Sequence, residues 1–161
     1  MRIWRKGPRF VSMRILRILI LTIAVVMAIG MSYSILPAQV SRSVWDGVYT
    51  SAQADRGAGF YTQYCSACHG ESLGGNDEAP PLAGADFLSN WNGLTVGDLF
   101  ERIRTTMPLN KPQSLSRETN VSILAHLLRV NKFPPGETEL PGQTEVMKQI
   151  RIDVVKPGQE R

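Results

Sequence analysis

The first 45 positions contain no acid: of the fourteen Asp and Glu in this chain of 161 residues, the earliest is Asp46. Cysteine and histidine are scarce as well, with two of each. Two cysteines exclude a disulfide-dense scaffold. A four-ligand zinc site would have to take Cys65, Cys68, His69 and His126, every such side chain present. Nor does any alternating apolar pattern of strand length occur between Ser51 and Lys132, which argues against a sheet-built domain.

The missing acids explain the charge. A formal charge of +4 and a pI near 9.3 would, taken over the whole chain, point to nucleic acid or an anionic membrane. But Arg2, Arg5, Lys6, Arg9, Arg14 and Arg17 put six cations in the first seventeen residues, whereas from Gln39 onward twelve cations face fourteen acids, a formal charge of −2. The basic excess belongs to the N-terminus, and nucleic acid drops out as a partner.

After those cations comes ILILTIAVVMAIGM, fourteen uncharged residues from Ile18 to Met31, and then SYSILPAQV with small residues. A basic start, an apolar stretch and a small-residue exit make up an export signal, with cleavage expected near Ala38. The alternative is an uncleaved anchor, because Ile18 to Val40 carries no charge and about 20 apolar residues span a bilayer. In both cases the remainder lies outside the cytoplasm, and the membrane is a partner only if the segment stays uncleaved. The expected organisation is a signal peptide or anchor over 1–38, a linker over 39–51, a domain over 52–133 and an irregular C-terminal extension over 134–161, either loosely packed or a surface strap over the domain, with a short helix and strand expected in Val146 to Val155.

The two cysteines stand in Cys65-Ser66-Ala67-Cys68-His69. A short-range disulfide, half of a zinc site and a thioredoxin-like pair are the plain readings. The thioredoxin reading wants a βαβ setting, and no strand-like run precedes Cys65. With an export signal, the Cys-x-x-Cys-His string reads as covalent haem attachment: two thiols add to the vinyl groups and the adjacent imidazole reaches the iron. A second axial ligand must then come from Met107, Met147 or His126 beyond the leader. Met107 precedes Pro108, which stops a helix and biases Met107 toward an extended backbone, so a thioether on a stiff loop is the candidate. Met147 reads as packing, and His126 as a core or surface histidine.

Helical periodicity brackets these residues. Ala52 to Tyr64 carries Gly57, Tyr61 and Tyr64 on one face, and Val96 to Thr105 carries Leu99, Phe100 and Ile103. In the third run Ser116 is the cap, Glu118 lies in the first turn, and Val121, Leu124, Ala125 and Leu128 form the stripe. The domain is expected to be all-α.

From Gln53 to Phe133 the chain resembles the class I c-type cytochromes. The residues that carry the likeness are Gly57 and Tyr61 before Cys65, the haem string, Pro80-Pro81-Leu82, and Met107-Pro108 ahead of a final helix. The resemblance implies a small cytochrome c fold, three to five helices around one covalently attached haem c. It also implies that Gly57 lies where the first and last helices cross, and that the Pro80 carbonyl accepts the proximal imidazole N–H. His69 and Met107 would be the axial ligands, Cys65 and Cys68 the attachment points, and Leu82, Trp91, Phe87, Leu99 and Tyr64 candidates for the pocket wall. Trp-x-Gly at Trp91, Gly97-Asp98-Leu99-Phe100 and Thr106-Met107-Pro108 are similar to cytochromes that accompany periplasmic quinoprotein dehydrogenases. The implied role is a periplasmic electron carrier rather than an enzyme, with redox proteins as partners: a dehydrogenase as donor, a cytochrome or oxidase as acceptor. A haem subunit anchored in a membrane dehydrogenase or oxidase complex is one alternative, and a peroxidase-like haem enzyme using His126 is another. Three positions depart from the family: His126 stands where an aromatic is usual, and Asn110 and Gln113 where close relatives favour glycine.

Overall fold

The computed structural model describes residues 15, 17–22 and 42–159. The expected cleavage point at Ala38 and most of the leader lie outside the described residues. Residues 17–22 are helical, and among the described residues no helix is long and apolar enough to cross a membrane. The chain divides into two units, 1–38 and 39–161; the second holds the domain.

That unit runs β1 (Arg42–Ser43), a 3-10 turn (Val44–Asp46), α1 (Ser51–Tyr64), α2 (Ser66–His69), α3 (Ala85–Trp91), α4 (Val96–Thr106), α5 (Arg117–Val130), α6 (Thr144–Met147) and β2 (Ile150–Arg151). Its long helices start where capping chemistry places them. The Thr50 hydroxyl accepts the Gln53 amide at 3.1 Å, and Ser116 accepts that of Thr119 at 3.1 Å. Thr95 and Asp98 form a reciprocal capping box for α4, at 3.1 and 3.0 Å. The fold is all-α in character, with two-residue strands only at its margins.

Helices α1 and α5 cross at Gly57. A Cβ placed there would lie 1.8 Å from the Ser122 carbonyl oxygen and 3.0 Å from His126 Cβ, so only glycine lets the two backbones approach this closely. His126 takes the place of the family's ring: its imidazole lies 5.5 Å from the Tyr61 ring, tilted by 46°. Its Nδ1 is 3.3 Å from Arg129 Nη2. Because a guanidinium only donates, Nδ1 is the acceptor and the imidazole is neutral.

Burial, and secondarily the Arg129 charge, lower the His126 pKa from its ordinary 6.5. The unfolded chain therefore takes up this proton first as pH falls. His126 contributes stability that is complete above about pH 6.5 and is lost as pH drops through the lower folded-state value. Urea denaturation is expected to show stability declining below pH 6.5, with a shallower decline in His126→Phe. Equal slopes in the two proteins would contradict this.

The segment before α1 differs from a plain linker, and the C-terminal extension has the form of the strap. From Arg42 the segment expected as a linker is packed, with Val44, Val48 and Tyr49 buried, and the extension sends Leu140, Met147, Ile150 and Ile152 into the same core. β1 pairs in parallel with β2, the Trp45 indole N–H donates to the Asp153 carbonyl at 2.7 Å, and Tyr49 Oη donates to the Phe133 carbonyl at 2.6 Å. Buried Gln53 completes the clasp, donating to the Leu140 carbonyl at 3.0 Å and accepting the Leu140 amide at 2.8 Å. The extension is thus a strap over α1, α4 and α5. Its apolar residues are spaced too irregularly for periodicity to show this, since they pack one at a time.

Candidate haem site

One turn of helix organises the centre. Cys65, Cys68 and His69 stand at i, i+3 and i+4, the spacing that brings side chains to one helical face. The α1 ladder continues to the Cys65 amide, which donates to the Tyr61 carbonyl at 2.8 Å, and the turn ends at Gly70, whose φ of 76° suits glycine. Neither thiol is in a disulfide; Cys65 is half-buried and Cys68 exposed. Burial, then Cys68, push the Cys65 thiol up to about 11. Dithiols made for exchange have lowered pKa values, so the direction of this shift, like the topology, weighs against the thioredoxin-like reading.

His69 is buried, and its Nδ1 lies 2.8 Å from the Pro80 carbonyl oxygen. A carbonyl can only accept, so Nδ1 is the donor, which leaves Nε2 as the nitrogen that could face a metal. Tyr61 Oη donates to the Gly70 carbonyl at 2.6 Å, fixing the end of the haem turn to α1. On the other side Asn131, at the end of α5, donates to the Leu82 carbonyl at 3.0 Å and accepts the Gly84 amide at 3.1 Å. The loop that carries Pro80 is therefore tied to α5.

Met107 caps α4. Its amide donates to the Ile103 carbonyl at 2.9 Å, its backbone is extended (φ −120°, ψ 152°), and the bond to Pro108 is cis. Its side chain is half-buried, whereas Met147 is fully buried in the core and so is packing. The loop after Met107 turns at Gln113, whose φ of 63° is left-handed. This is one of the two positions where glycine is usual, and a non-glycine residue there bears a cost of roughly 1 kcal/mol or more.

A second apolar cluster lies beside the thiols. Buried Tyr61, Leu73, Ile123 and Leu127 are overlaid by partly exposed Cys65, Leu82, Ala83, Ile103 and Leu115. Half-covered apolar side chains next to two free thiols and a free imidazole nitrogen make a wall suited to a flat, largely apolar ligand. Of the residues expected to line it, Leu82 does. Trp91 packs instead on the larger cluster, 6.3 Å from the Phe87 ring. Phe87 and Leu99 are buried in that same core, and Tyr64 is exposed. Leu73, Ile123, Leu127 and Leu115 were missed because they belong to loops and to the flank of the α5 stripe. Ile103 was predictable from its position one turn after Leu99.

Residues 52–127 match the protein family described as cytochrome c oxidase, cbb3-type, subunit III. The domain is a class I c-type cytochrome. No curated protein matches the chain. Among solved structures, the cytochrome is similar to a crystal structure of the sulfane dehydrogenase SoxCD from Paracoccus pantotrophus. The identity is 22%, over 77% of this chain and 70% of that one, with a TM-score of 0.47. Membership of the c-type cytochromes implies covalently bound haem c, and the residues fit it. Two free thiols at attachment spacing, an imidazole whose Nδ1 is held by Pro80, and an apolar wall beside Cys65 are what such a group needs.

Proposed function

We propose that this cytochrome is a periplasmic carrier of single electrons, with one haem c attached at Cys65 and Cys68 and with His69 and Met107 as its axial ligands. The observation that carries the reading is the His69 Nδ1 to Pro80 carbonyl bond, which dedicates the imidazole to a metal on its other nitrogen. When bound, haem c supplies an Fe(III)/Fe(II) couple. The chain's own residues do the rest: Pro80 holds the imidazole proton and raises its basicity, Met107 offers a thioether that favours the reduced ion, and Leu82, Ile103 and Leu115 keep water from the ring. With His69 and Met107 both holding the iron, no site would remain for oxygen or substrate. His126, the distal base that a peroxidase-like enzyme would need, is engaged by Arg129 at the helix crossing, which weighs against that alternative.

The donor that fits is a quinoprotein-type dehydrogenase, with another cytochrome or a terminal oxidase as acceptor. A second reading, a haem subunit anchored in a membrane complex, is favoured by the matched family's description as an oxidase subunit and by the uncharged run from Ile18 to Val40. Mass spectrometry of the mature N-terminus separates the two, since a start near Gln39 excludes the anchor. Carrier and catalyst are separated by carbon monoxide. The reduced holoprotein is expected to keep its spectrum under carbon monoxide, and rapid formation of an adduct would show an open site and overturn the carrier assignment.

A further inference from the structure

The loop between His69 and Pro80 is organised by one short side chain. Asn76 Nδ2 donates to the Cys68 carbonyl at 2.8 Å, while its Oδ1 accepts the Glu78 and Ala79 amides, both at 2.9 Å. Its own backbone amide donates to the Ala79 carbonyl at 2.9 Å. An ordinary Asn turn uses only the side-chain oxygen and nearby amides. The bond to Cys68, eight residues back, is additional, and it ties the turn to the haem-attachment helix.

What the turn carries is the acceptor for His69. Pro80 follows Ala79 directly and is exposed, so packing of its own ring does not place its carbonyl. That carbonyl is placed by the turn. Gly75 tightens the same loop: its φ is 71°, its amide donates to the His69 carbonyl at 2.9 Å, and a Cβ there would lie 2.5 Å from the Ala79 oxygen. Leu82 N–H closes the loop on the Leu73 carbonyl at 2.8 Å.

We propose that Asn76 is a positioning residue for the proximal histidine. Its amide clamps the 76–79 turn to Cys68, keeping the Pro80 carbonyl in line with the His69 Nδ1 proton and setting the basicity of the imidazole that faces the iron. The inference rests on the reading of His69 as an axial ligand. Partners one bond removed from a metal orient its ligands and tune their donor strength. Loosening Pro80 makes the imidazole a weaker donor, stabilises Fe(III) less, and raises the reduction potential.

Two variants of the holoprotein divide the roles of Asn76. Asn76→Ser keeps a hydroxyl that can accept the turn amides but is too short to reach Cys68, and Asn76→Ala removes both functions. The readouts are hydrogen exchange of the iron-shifted His69 Nδ1 proton by NMR, the reduction potential, and the charge-transfer band from methionine sulfur to Fe(III). In both variants exchange is expected to be about ten-fold faster, the worth of one net hydrogen bond, with a raised potential and the sulfur band retained. Wild-type exchange and potential in Asn76→Ser would overturn the proposal, and that variant decides the matter if Asn76→Ala fails to mature. A wild-type protein that shows no iron-shifted His69 signal would overturn the ligand reading itself, a result distinct from unchanged variants.

Discussion

Met107→Ala is expected to abolish the charge-transfer band from sulfur to Fe(III) and to lower the reduction potential. Met107 stands at the end of α4 in extended conformation, held by its amide bond to Ile103 and by the loop turn from Pro108 to Lys111, whose amide donates to the Pro108 carbonyl at 2.9 Å. The side chain is therefore presented by a fixed backbone rather than by a mobile tip. Alanine removes the thioether while leaving that frame in place. A thioether prefers Fe(II), so its loss favours Fe(III). A fall of roughly 0.1–0.2 V is expected, about two to three powers of ten in the oxidised-to-reduced ratio for a one-electron couple. The variant should also bind carbon monoxide when reduced, because a position on the iron has opened. Potentiometry and absorbance measure all three effects. If the band and the potential are unchanged, Met107 is not the ligand, and Met147 offers no replacement because it is sealed in the core.

Gly57→Ala is expected to cost about 3 kcal/mol or more, with poor haem loading as the visible consequence. The added Cβ would meet Ser122 backbone at 1.8 Å from the oxygen and 2.5 Å from the carbon. These are backbone atoms in the middle of α5, which cannot rotate away as a flexible side chain would. Overpacking in a close-packed interior typically costs 1–3 kcal/mol, and here relief requires α1 and α5 to separate. The helices carry the wall on which the haem would lie, Tyr61 on one and Ile123 and Leu127 on the other. Separation thus degrades the site along with the stability. Gly59, two residues on in the same helix, is the control. A Cβ there has no neighbour within 4 Å, so Gly59→Ala should stabilise the protein by roughly 0.5–1 kcal/mol through helix propensity alone. Denaturant unfolding of the pair tests the crossing, and comparable stability of the two variants would refute it.

The local parts of the structure could be read from the sequence. Ser116 caps α5 and Asp98 lies in the first turn of α4, so both helices begin where expected, and Pro108 stops α4 for the same kind of reason. The proposed ligands rest on sequence in two ways: covalent haem attachment demands fixed spacing, and Met107 is one of only a few side chains beyond the leader able to complete the coordination. The Pro80 carbonyl needed the family resemblance, since a backbone acceptor has no side-chain signature. What stayed hidden depends on contacts distant in sequence. β1 and β2 are two-residue strands about a hundred positions apart, and Gln53 recognises only the backbone of Leu140. Nothing in the composition of 39–51 distinguishes it from a linker, and the composition of 134–161 suits a loose tail and a strap equally. Asn76 and Asn131 were missed because their partners are backbone groups, among them the Cys68 and Leu82 carbonyls, which carry no side-chain signature in the sequence. Trp91 is half-buried against the larger core, with its ring 6.3 Å from that of Phe87 one helical turn earlier, a contact that its side-chain type alone does not predict.

The account turns on whether the iron is closed by His69 and Met107, and a redox titration of the wild-type holoprotein followed by absorbance tests this most directly. The expected result is a single one-electron transition in which the methionine-to-Fe(III) band is present in the oxidised protein and vanishes on reduction, with no change on adding carbon monoxide. An oxidised spectrum lacking that band, or a reduced protein that binds carbon monoxide at once, would contradict the assignment of this cytochrome as an electron carrier.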